Sequence, residues 1–531
     1  MGAEPDCEVL ICGLGPVGQL LALLLGQAGV SVLAIDQASE PYELPRAAVV
    51  DDEILRIFQA AGVDRQVLAD SQVQEEVSFV TTSGRPLCLL QPVEGSHGHP
   101  PLVSIHQPSI ERTLIAALAD QRTVRASWGR CLERFDQDPD GVEALVRSGE
   151  DGSTETVRAR WAVGCDGGAS RVRQLLGIEF GGSTFRQRWL VVDVRVDRPL
   201  AKVRHPHFFG DWRRPIVSLP MSPGRHRWEW MLHPGEDPEP FLDPDSLRER
   251  IDSWLEGETA TVERAVVYTF QARTAARWRE GRVLLAGDAA HLMPPFAGQG
   301  FSSGARDAAN LAWKLEAVLA GAPEGLLDTY EEERRPHVEA MRRLAVTLGS
   351  FVQTADRRVA RVRDAFLGAL ERTAIASWAR ARIKPLPAYG AGAFAECPHS
   401  VVFKRGVGAQ FPQPLVRVGG DEVLLDAAAG RGWCALSADA DAAEALAADG
   451  LRVLLLGRDL EDSEGTIGEW LTRFGASWVI LRPDRFVFAV GGSGADEIRR
   501  ALDALHRNLG RATSELVAGR NRRISQGLVA A

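Results

Sequence analysis

The sequence predicts an α/β protein of several domains: a Rossmann-like nucleotide-binding domain interleaved with a β-sheet domain, then a separate α/β unit at the C-terminal end. Three observations predict it. A glycine-rich turn joins two short apolar strands at the N-terminus. A second strand, near residue 285, runs into Gly-Asp and a glycine-rich turn that opens a helix. Between and after these lie many short strands bounded by turn residues.

Glu8–Cys12 reads as the first strand, and Gly13-Leu14-Gly15-Pro16-Val17-Gly18 fits G-x-G-x-x-G. A helix runs on to about Ala28, and Val30–Ile35 is a second strand ended by Asp36. In such a unit the first glycine makes the turn, the second lets backbone approach a pyrophosphate, and the third lets helix pack on strand. The acid takes the ribose hydroxyls, and an acid rather than a basic residue at 36 favours an unphosphorylated ribose, as in FAD or NAD. In residues 281–304, GRVLLAGDAAHLMPPFAGQGFSSG, a strand at Val283 to Ala286 precedes Gly287-Asp288 and Pro294-Pro295, and a helix opens at about Phe301. A carboxylate at a strand end can hold a sugar hydroxyl, and N–H groups at a helix start favour an electron-rich ligand. Together they point to a large, polar, partly anionic cofactor.

The remaining elements follow in order. Asp51–Ala61 reads as a helix, Val73–Leu90 as paired strands around Ser83-Gly84, and Gln107–Ala119 as a helix with Ser109 as its N-cap. Thr123–Ala162 reads as strands with turns at Pro139-Asp140-Gly141 and Asp151-Gly152, and Arg188–Val196 and Ile216–Leu232 as further strands. Leu311–Ala320 and Leu327–Leu348 are amphipathic helices. Ala355 to about Pro398 is helical and then rich in proline and glycine, a linker. From Val401 onward, Glu422–Leu425, Leu451–Leu456, Trp478–Leu481 and Phe486–Val490 are strands between helices.

Composition narrows the function. The chain has 531 residues and a net charge of −10, which argues against nucleic acid as a partner. The seven cysteines are scattered, odd in number and without C-x-x-C, the pattern of reduced thiols in a cytoplasm; no metal site is expected. Glu4 and Asp6 stand where a signal peptide would be basic, and Leu20–Leu25 is too short to span a bilayer, so no membrane contact is expected.

Three separated segments resemble the FAD-dependent aromatic hydroxylases of the para-hydroxybenzoate hydroxylase type: GLGPVG with Asp36, Cys165-Asp166-Gly167-Gly168-Ala169-Ser170-Arg171-Val172-Arg173, and Gly287-Asp288 followed by PPFAGQG. CDGGASRVRQLLG, Arg227–Glu236, Leu327–His337 and Leu481–Ala489 further resemble the subgroup acting on 3-(3-hydroxyphenyl)propionate and 3-hydroxycinnamate. The likeness spans nearly the whole chain. It implies an FAD monooxygenase of aromatic catabolism, reduced by NADH or NADPH and using O2, whose flavin hydroperoxide hydroxylates a small phenol ortho to its hydroxyl. It also implies discontinuous domains: FAD-binding residues 1–75, 100–185 and 275–345; a substrate sheet of 76–99 and 186–274; a helical segment and linker, 346–398; and a thioredoxin-like domain, 399–531, without CxxC. Cys434 there has no partner for redox work, so the unit reads as extra core or a contact in a homodimer.

The resemblance assigns roles by position. Gly13, Gly15, Gly18 and Asp36 would hold the ADP half of FAD. Arg46 would lie near the pyrophosphate and flavin, Gln107 beside the ribityl chain, and Asp166 with Gly167 near FAD and the nicotinamide. Gly287 and Asp288 would meet the ribityl hydroxyls. Pro295 through Ser302, with Gly298, Gly300 and the N–H groups of Phe301 and Ser302, would line the isoalloxazine and stabilise its reduced anion. Arg306 and Asp307 read as a helix-face ion pair.

For a substrate carboxylate the candidate cations are Arg188, Arg213 and Arg214. Trp212, Trp228, Trp230, Phe208 and Phe296 are candidate walls for its ring. His205, His207 and His291 are candidate acceptors near the phenol, each with a structural reading beside it, and Pro295 is a further catalytic candidate. Trp228 and Trp230 share one strand face, so a core role serves them equally well.

Leu14 departs from the commoner alanine of GAGPxG. The Pro-Pro-Phe-Ala segment also occurs in hydroxylases of polyketides, which keeps a secondary-metabolite phenol open as substrate. Trp228-Glu229-Trp230 superficially resembles a flavin-dependent halogenase signature, but its proline arrives only at Pro234 and no lysine precedes Lys202. A non-catalytic binding protein on this fold would not need Asp288 and the glycine-rich helix start. A flavin reductase or dehydrogenase without hydroxylation is the nearest rival.

Overall fold

The computed structural model describes residues 4–81, 85–92, 95–255, 257–370, 373, 388–395 and 406–510. The expected turn at Ser83-Gly84, Cys397 and much of the linker lie outside them. Cys7–Cys12, central in the first sheet, is flanked in parallel by Val32–Ile35 on one side and Thr154–Gly164 on the other. Val124–Ser127 and Val283–Leu285 extend this parallel array outward. The helix Pro16–Gln27 packs on it with Leu20, Leu21, Leu23 and Leu25 buried, and the helices Gln107–Ala119 and Gly300–Leu319 lie beside that helix.

The second sheet has eight strands in the order His291–Leu292, Ala260–Ala275, Phe180–Val196, Arg225–Leu232, Ile216–Pro220, His207–Gly210, Val77–Thr81 and Pro86–Leu90. Its long strand starts at Phe180, six residues before the expected boundary at 186. Alternation gives it two faces. The outer face, with Leu190, Val192, Trp228, Trp230 and Leu232, packs on Phe241, Leu247 and Ile251 of two following helices. The inner face, with Trp189, Val217 and Met231, packs on Phe296 and Val352. Both tryptophans of Trp-Glu-Trp are therefore core residues turned away from the cofactor loops.

In the C-terminal unit a four-stranded sheet runs in the order Arg452–Leu455, Cys434–Ser437, Trp478–Leu481, Val487–Gly491. Cys434–Ser437 was not anticipated, whereas the expected strand at Glu422 pairs instead with Leu415–Val418 in a separate hairpin. Arg56 meets Asp426 at 2.7 Å, and Arg482 meets Glu333 at 2.8 Å, so buried ion pairs join this unit to the rest. Among the described residues no helix is long and apolar enough to cross a membrane.

Candidate active site

The glycine motifs meet at the carboxyl ends of the parallel strands, where open α/β sheets bind ligands. Gly13 has φ +107, and a Cβ there would stand 2.4 Å from the Cys165 backbone, so the first loop lies directly against the Asp-Gly loop. A Cβ on Gly18 would stand 1.9 Å from the Gly13 carbonyl oxygen, whereas one on Gly15 would meet nothing within 4 Å. The first and third glycines thus serve packing, and the second faces the open space a pyrophosphate needs. Val17 in turn packs against Gly287 and Gly304, and Val49 against Gly298. Four loops therefore converge: residues 13–18, 46–49, 165–167 and 287–304.

Asp36 accepts from the Leu14 N–H at 2.8 Å and orders the loop from the second strand. Leu14 lines an apolar pocket of about 260 Å³ with Ile115, Leu118, Val124, Ala126 and Trp128. Asp288 keeps solvent access while protein surrounds it on most sides, a carboxylate on the floor of an open cleft. That enclosure raises its pKa, with His291 and Arg46 pulling the other way. The helix Gly300–Leu319 starts one residue before the expected Phe301 and directs its first N–H groups at the same cleft, and a Cβ on Gly300 would meet nothing. Phe301 turns its ring inward to stack on Phe58, and the Ser302 side chain is buried beside it.

Arg46 is exposed over the Tyr42 ring, 4.2 Å from its centroid. Its loop is held from two directions. Gln107 accepts from the Ala47 N–H at 2.7 Å and donates to Glu111 at 2.8 Å. Arg227, ion-paired with Asp193 at 2.6 Å, donates to the carbonyls of Arg46 at 2.8 Å and Pro45 at 2.9 Å. Arg264 also donates to Pro45.

Several expected roles change. The Asp166 carboxylate accepts from the Val172 N–H and the Ser170 hydroxyl, so it orders its own loop and the short helix after it. Ser109 is inside its helix, with His106 at the N-cap position. Arg306 and Asp307 do not pair with each other: Arg306 holds Asp51 at 2.8 Å and Glu53 at 2.6 Å, while Asp307 holds His291 at 2.6 Å and Arg334 at 2.9 Å. His291 is 1% exposed beneath the Gly-Asp turn, a core residue and not a phenol acceptor. His207 stacks on Phe209 toward the outer face, and His205 stacks on His207 and bonds Ser78 at 2.8 Å. Arg214 is taken by Glu236 at 2.7 Å, Arg188 donates to the Glu236 carbonyl, and Arg213 stays near Asp211 on the surface beside Trp212. None of these three cations is presented by the inner face.

Of the expected walls, Phe208 and Phe296 are on the inner face, and Trp189, Phe185 and Phe270 join them. The Phe296 ring is 5.7 Å from Trp189 and 5.5 Å from Phe270. Trp189 had a signal, namely its alternation with Leu190 and Val192 along the same strand, but not which phase faced the cofactor; Phe270 is on the neighbouring strand, Ala260–Ala275. An aromatic cluster thus borders the Pro-Pro loop.

A nucleotide-binding α/β domain thus turns its glycine-rich loops toward an aromatic sheet face. The FAD binding domain family matches residues 6–345, and the HcaD C-terminal domain family matches residues 408–508. The 3-(3-hydroxy-phenyl)propionate/3-hydroxycinnamic acid hydroxylase of Escherichia coli O8 (strain IAI1) is 36% identical over 517 residues, covering 91% of this chain and 91% of that one. Aklavinone-11 hydroxylase, solved with FAD and aklavinone, is 25% identical with a TM-score of 0.78, covering 96% of this chain and 100% of that one. OxyS anhydrotetracycline hydroxylase from Streptomyces rimosus is 27% identical with a TM-score of 0.75, covering 95% and 99%. The chain belongs to the FAD-binding-domain family of flavin-dependent aromatic hydroxylases. It is an FAD-dependent monooxygenase, drawing electrons from NAD(P)H and oxygen from O2.

Proposed function

We propose that the enzyme hydroxylates 3-(3-hydroxyphenyl)propionate or 3-hydroxycinnamate ortho to the phenol, with NADH as donor, in cytoplasmic aromatic catabolism. The observation that carries this is the inner aromatic face, Trp189, Phe208, Phe270 and Phe296, set against the glycine-lined cleft in a chain 36% identical to a hydroxylase of those acids. The unpaired thiols of Cys7, Cys12, Cys131, Cys165 and Cys434 support the reducing compartment.

FAD, when bound, accepts electrons from the nicotinamide and passes one oxygen atom of O2 to the ring. The residues suit it. Gly15 leaves room for the pyrophosphate, the Leu14 pocket suits the adenine, and Asp288 can accept from ribityl hydroxyls. The first N–H groups of the Gly300 helix stabilise negative charge on the flavin edge. Phe296 and the inner face keep water from the reacting carbon. Asp166 serves by shaping its loop beside Gly13. We assign the cofactor domain to 1–75, 100–185 and 275–345 and the substrate sheet to 76–99 and 186–274, with a thioredoxin-like unit from 399.

A second reading, a larger phenol of secondary metabolism, is favoured by the likeness to hydroxylases of aklavinone and anhydrotetracycline. NADH and NADPH oxidation measured with a panel of phenolic acids and polycyclic phenols separates the two. Selective stimulation by the phenylpropanoid acids is expected; a response only to polycyclic phenols would replace the first reading with the second.

A further inference from the structure

We propose that Glu229 receives the substrate's phenolic hydroxyl, accepting its hydrogen bond and then its proton as the ring is attacked. The inference rests on the phenol hydroxylase reading above and adds a residue to it.

Along Arg225–Leu232, the side chains of Arg227, Glu229 and Met231 share the inner face. Arg227 bonds the Arg46 loop at one end, and Met231 packs with Trp189 and Phe296 at the other. Glu229 therefore stands between the two loops that frame the cleft, with Val191 and Val217 opposite it on the adjoining strands. It is 6% exposed, and among the described residues it accepts no hydrogen bond. Its nearest cation, Arg227, is 4.0 Å away and already bound to Asp193 at 2.6 Å.

Leaving a buried carboxylate without a donor is costly, so its presence points to a donor that arrives with the ligand. With Asp193, Glu229 balances the two guanidiniums of Arg227 and Arg264, yet among the described residues neither guanidinium donates a hydrogen bond to it. Burial raises the Glu229 pKa, with Arg227 opposing, and a more basic carboxylate is the better acceptor for a phenol proton. In the step, the phenol O–H bond breaks, an Oε–H bond forms, and the electron pair stays on the phenolate oxygen, enriching the ortho carbon. Rearomatisation then breaks the ortho C–H bond; of that proton and the one on Glu229, one returns to the product's oxygen and the other leaves in the water formed from the second oxygen atom of O2. The oxygen atom and the electrons come from O2 and NAD(P)H, as in the established activity.

The test titrates holoenzyme by flavin absorbance with two ligand pairs, 3-(3-hydroxyphenyl)propionate against 3-phenylpropionate and 1-naphthol against naphthalene. Wild type should favour a hydroxylated member by about tenfold or more, and Glu229→Leu should erase that ratio while deoxy-ligand binding stays unchanged. Glu229→Gln should hold FAD yet lose about 100-fold in kcat and lose the absorption of bound phenolate. Should Glu229→Leu not retain FAD, Glu229→Gln decides alone. An unchanged ratio in Glu229→Leu, equal loss for both members of a pair, unchanged kcat in Glu229→Gln, or no discrimination by wild type would overturn the proposal. Glu229-dependent discrimination of the naphthol pair alone would remove the phenylpropanoid reading and leave the role of Glu229 standing.

Discussion

Arg227, on a central strand of the second sheet, donates a 2.8 Å hydrogen bond to the backbone carbonyl of Arg46, on a loop of the cofactor domain. Arg227 is 4% exposed, and Asp193 holds its guanidinium in place. One buried cation thus fixes where the substrate sheet meets the loop that reaches the cleft. Arg227→Gln should leave the Arg46 loop held only from the Gln107 and Arg264 sides. The expected result is FAD affinity weaker by about tenfold, the cost of about 1.4 kcal/mol of lost charge-assisted bonding. Flavin fluorescence during dilution of holoenzyme checks it.

Asp288→Ala should also weaken flavin retention, by about ten- to a hundredfold for loss of a charged acceptor. The protein should still fold, since the Asp288 side chain keeps solvent access and makes no structural hydrogen bond among the described residues. Reconstitution of apoprotein with FAD, followed calorimetrically, measures this. Wild-type affinity in the variant would show that the ribityl chain lies elsewhere.

The two faces of the second sheet should answer differently to truncation. Trp228→Ala opens a cavity in the outer core, and a loss of about 3–5 kcal/mol is expected in chemical denaturation. Trp189→Ala removes the centre of the aromatic cluster beside the Pro-Pro loop, so it should raise KM for the phenolic substrate as well as lower stability. Steady-state kinetics of the two variants, compared at a temperature where both are folded, checks the division.

Glu333 links the C-terminal unit to the cofactor helices through Arg482 and Lys314, at 2.8 and 3.0 Å. Burial opposes its ionisation, but the charges of Arg482 and Lys314 prevail and hold its pKa down, from 4.5 to about 2. A depressed folded-state pKa contributes stability above pH 4.5 that is lost as pH falls toward 2. Glu333→Gln should therefore cost about 3–5 kcal/mol at neutral pH and flatten this acid-side loss. Thermal melts of both proteins between pH 7 and about 3 test it.

The glycine-rich loop was legible because backbone geometry demands particular residues: Gly13 and Gly18 stand where no Cβ fits, and Asp36 follows the second strand and accepts from the Leu14 N–H. The substrate half was not. Period-two alternation says that Trp228 and Trp230 share a face, yet it carries no sign for which face meets the cofactor, and the conspicuous tryptophans are on the outer one while Glu229 is on the inner. The partners of Arg306 and Asp307 are set by tertiary contacts with Asp51, Glu53, His291 and Arg334, which no local pattern reveals. Cys434–Ser437 escaped notice because Cys-Ala-Leu-Ser has little β-branched character, although burial on both sides makes it a central strand.

The most direct test follows NADH consumption, oxygen uptake and aromatic product together, with purified FAD-loaded enzyme and 3-(3-hydroxyphenyl)propionate. The structure predicts a catechol with its new hydroxyl ortho to the first, formed in step with oxygen consumed. Oxygen converted wholly to hydrogen peroxide, with the phenol recovered unchanged for every ligand in the panel, would contradict it.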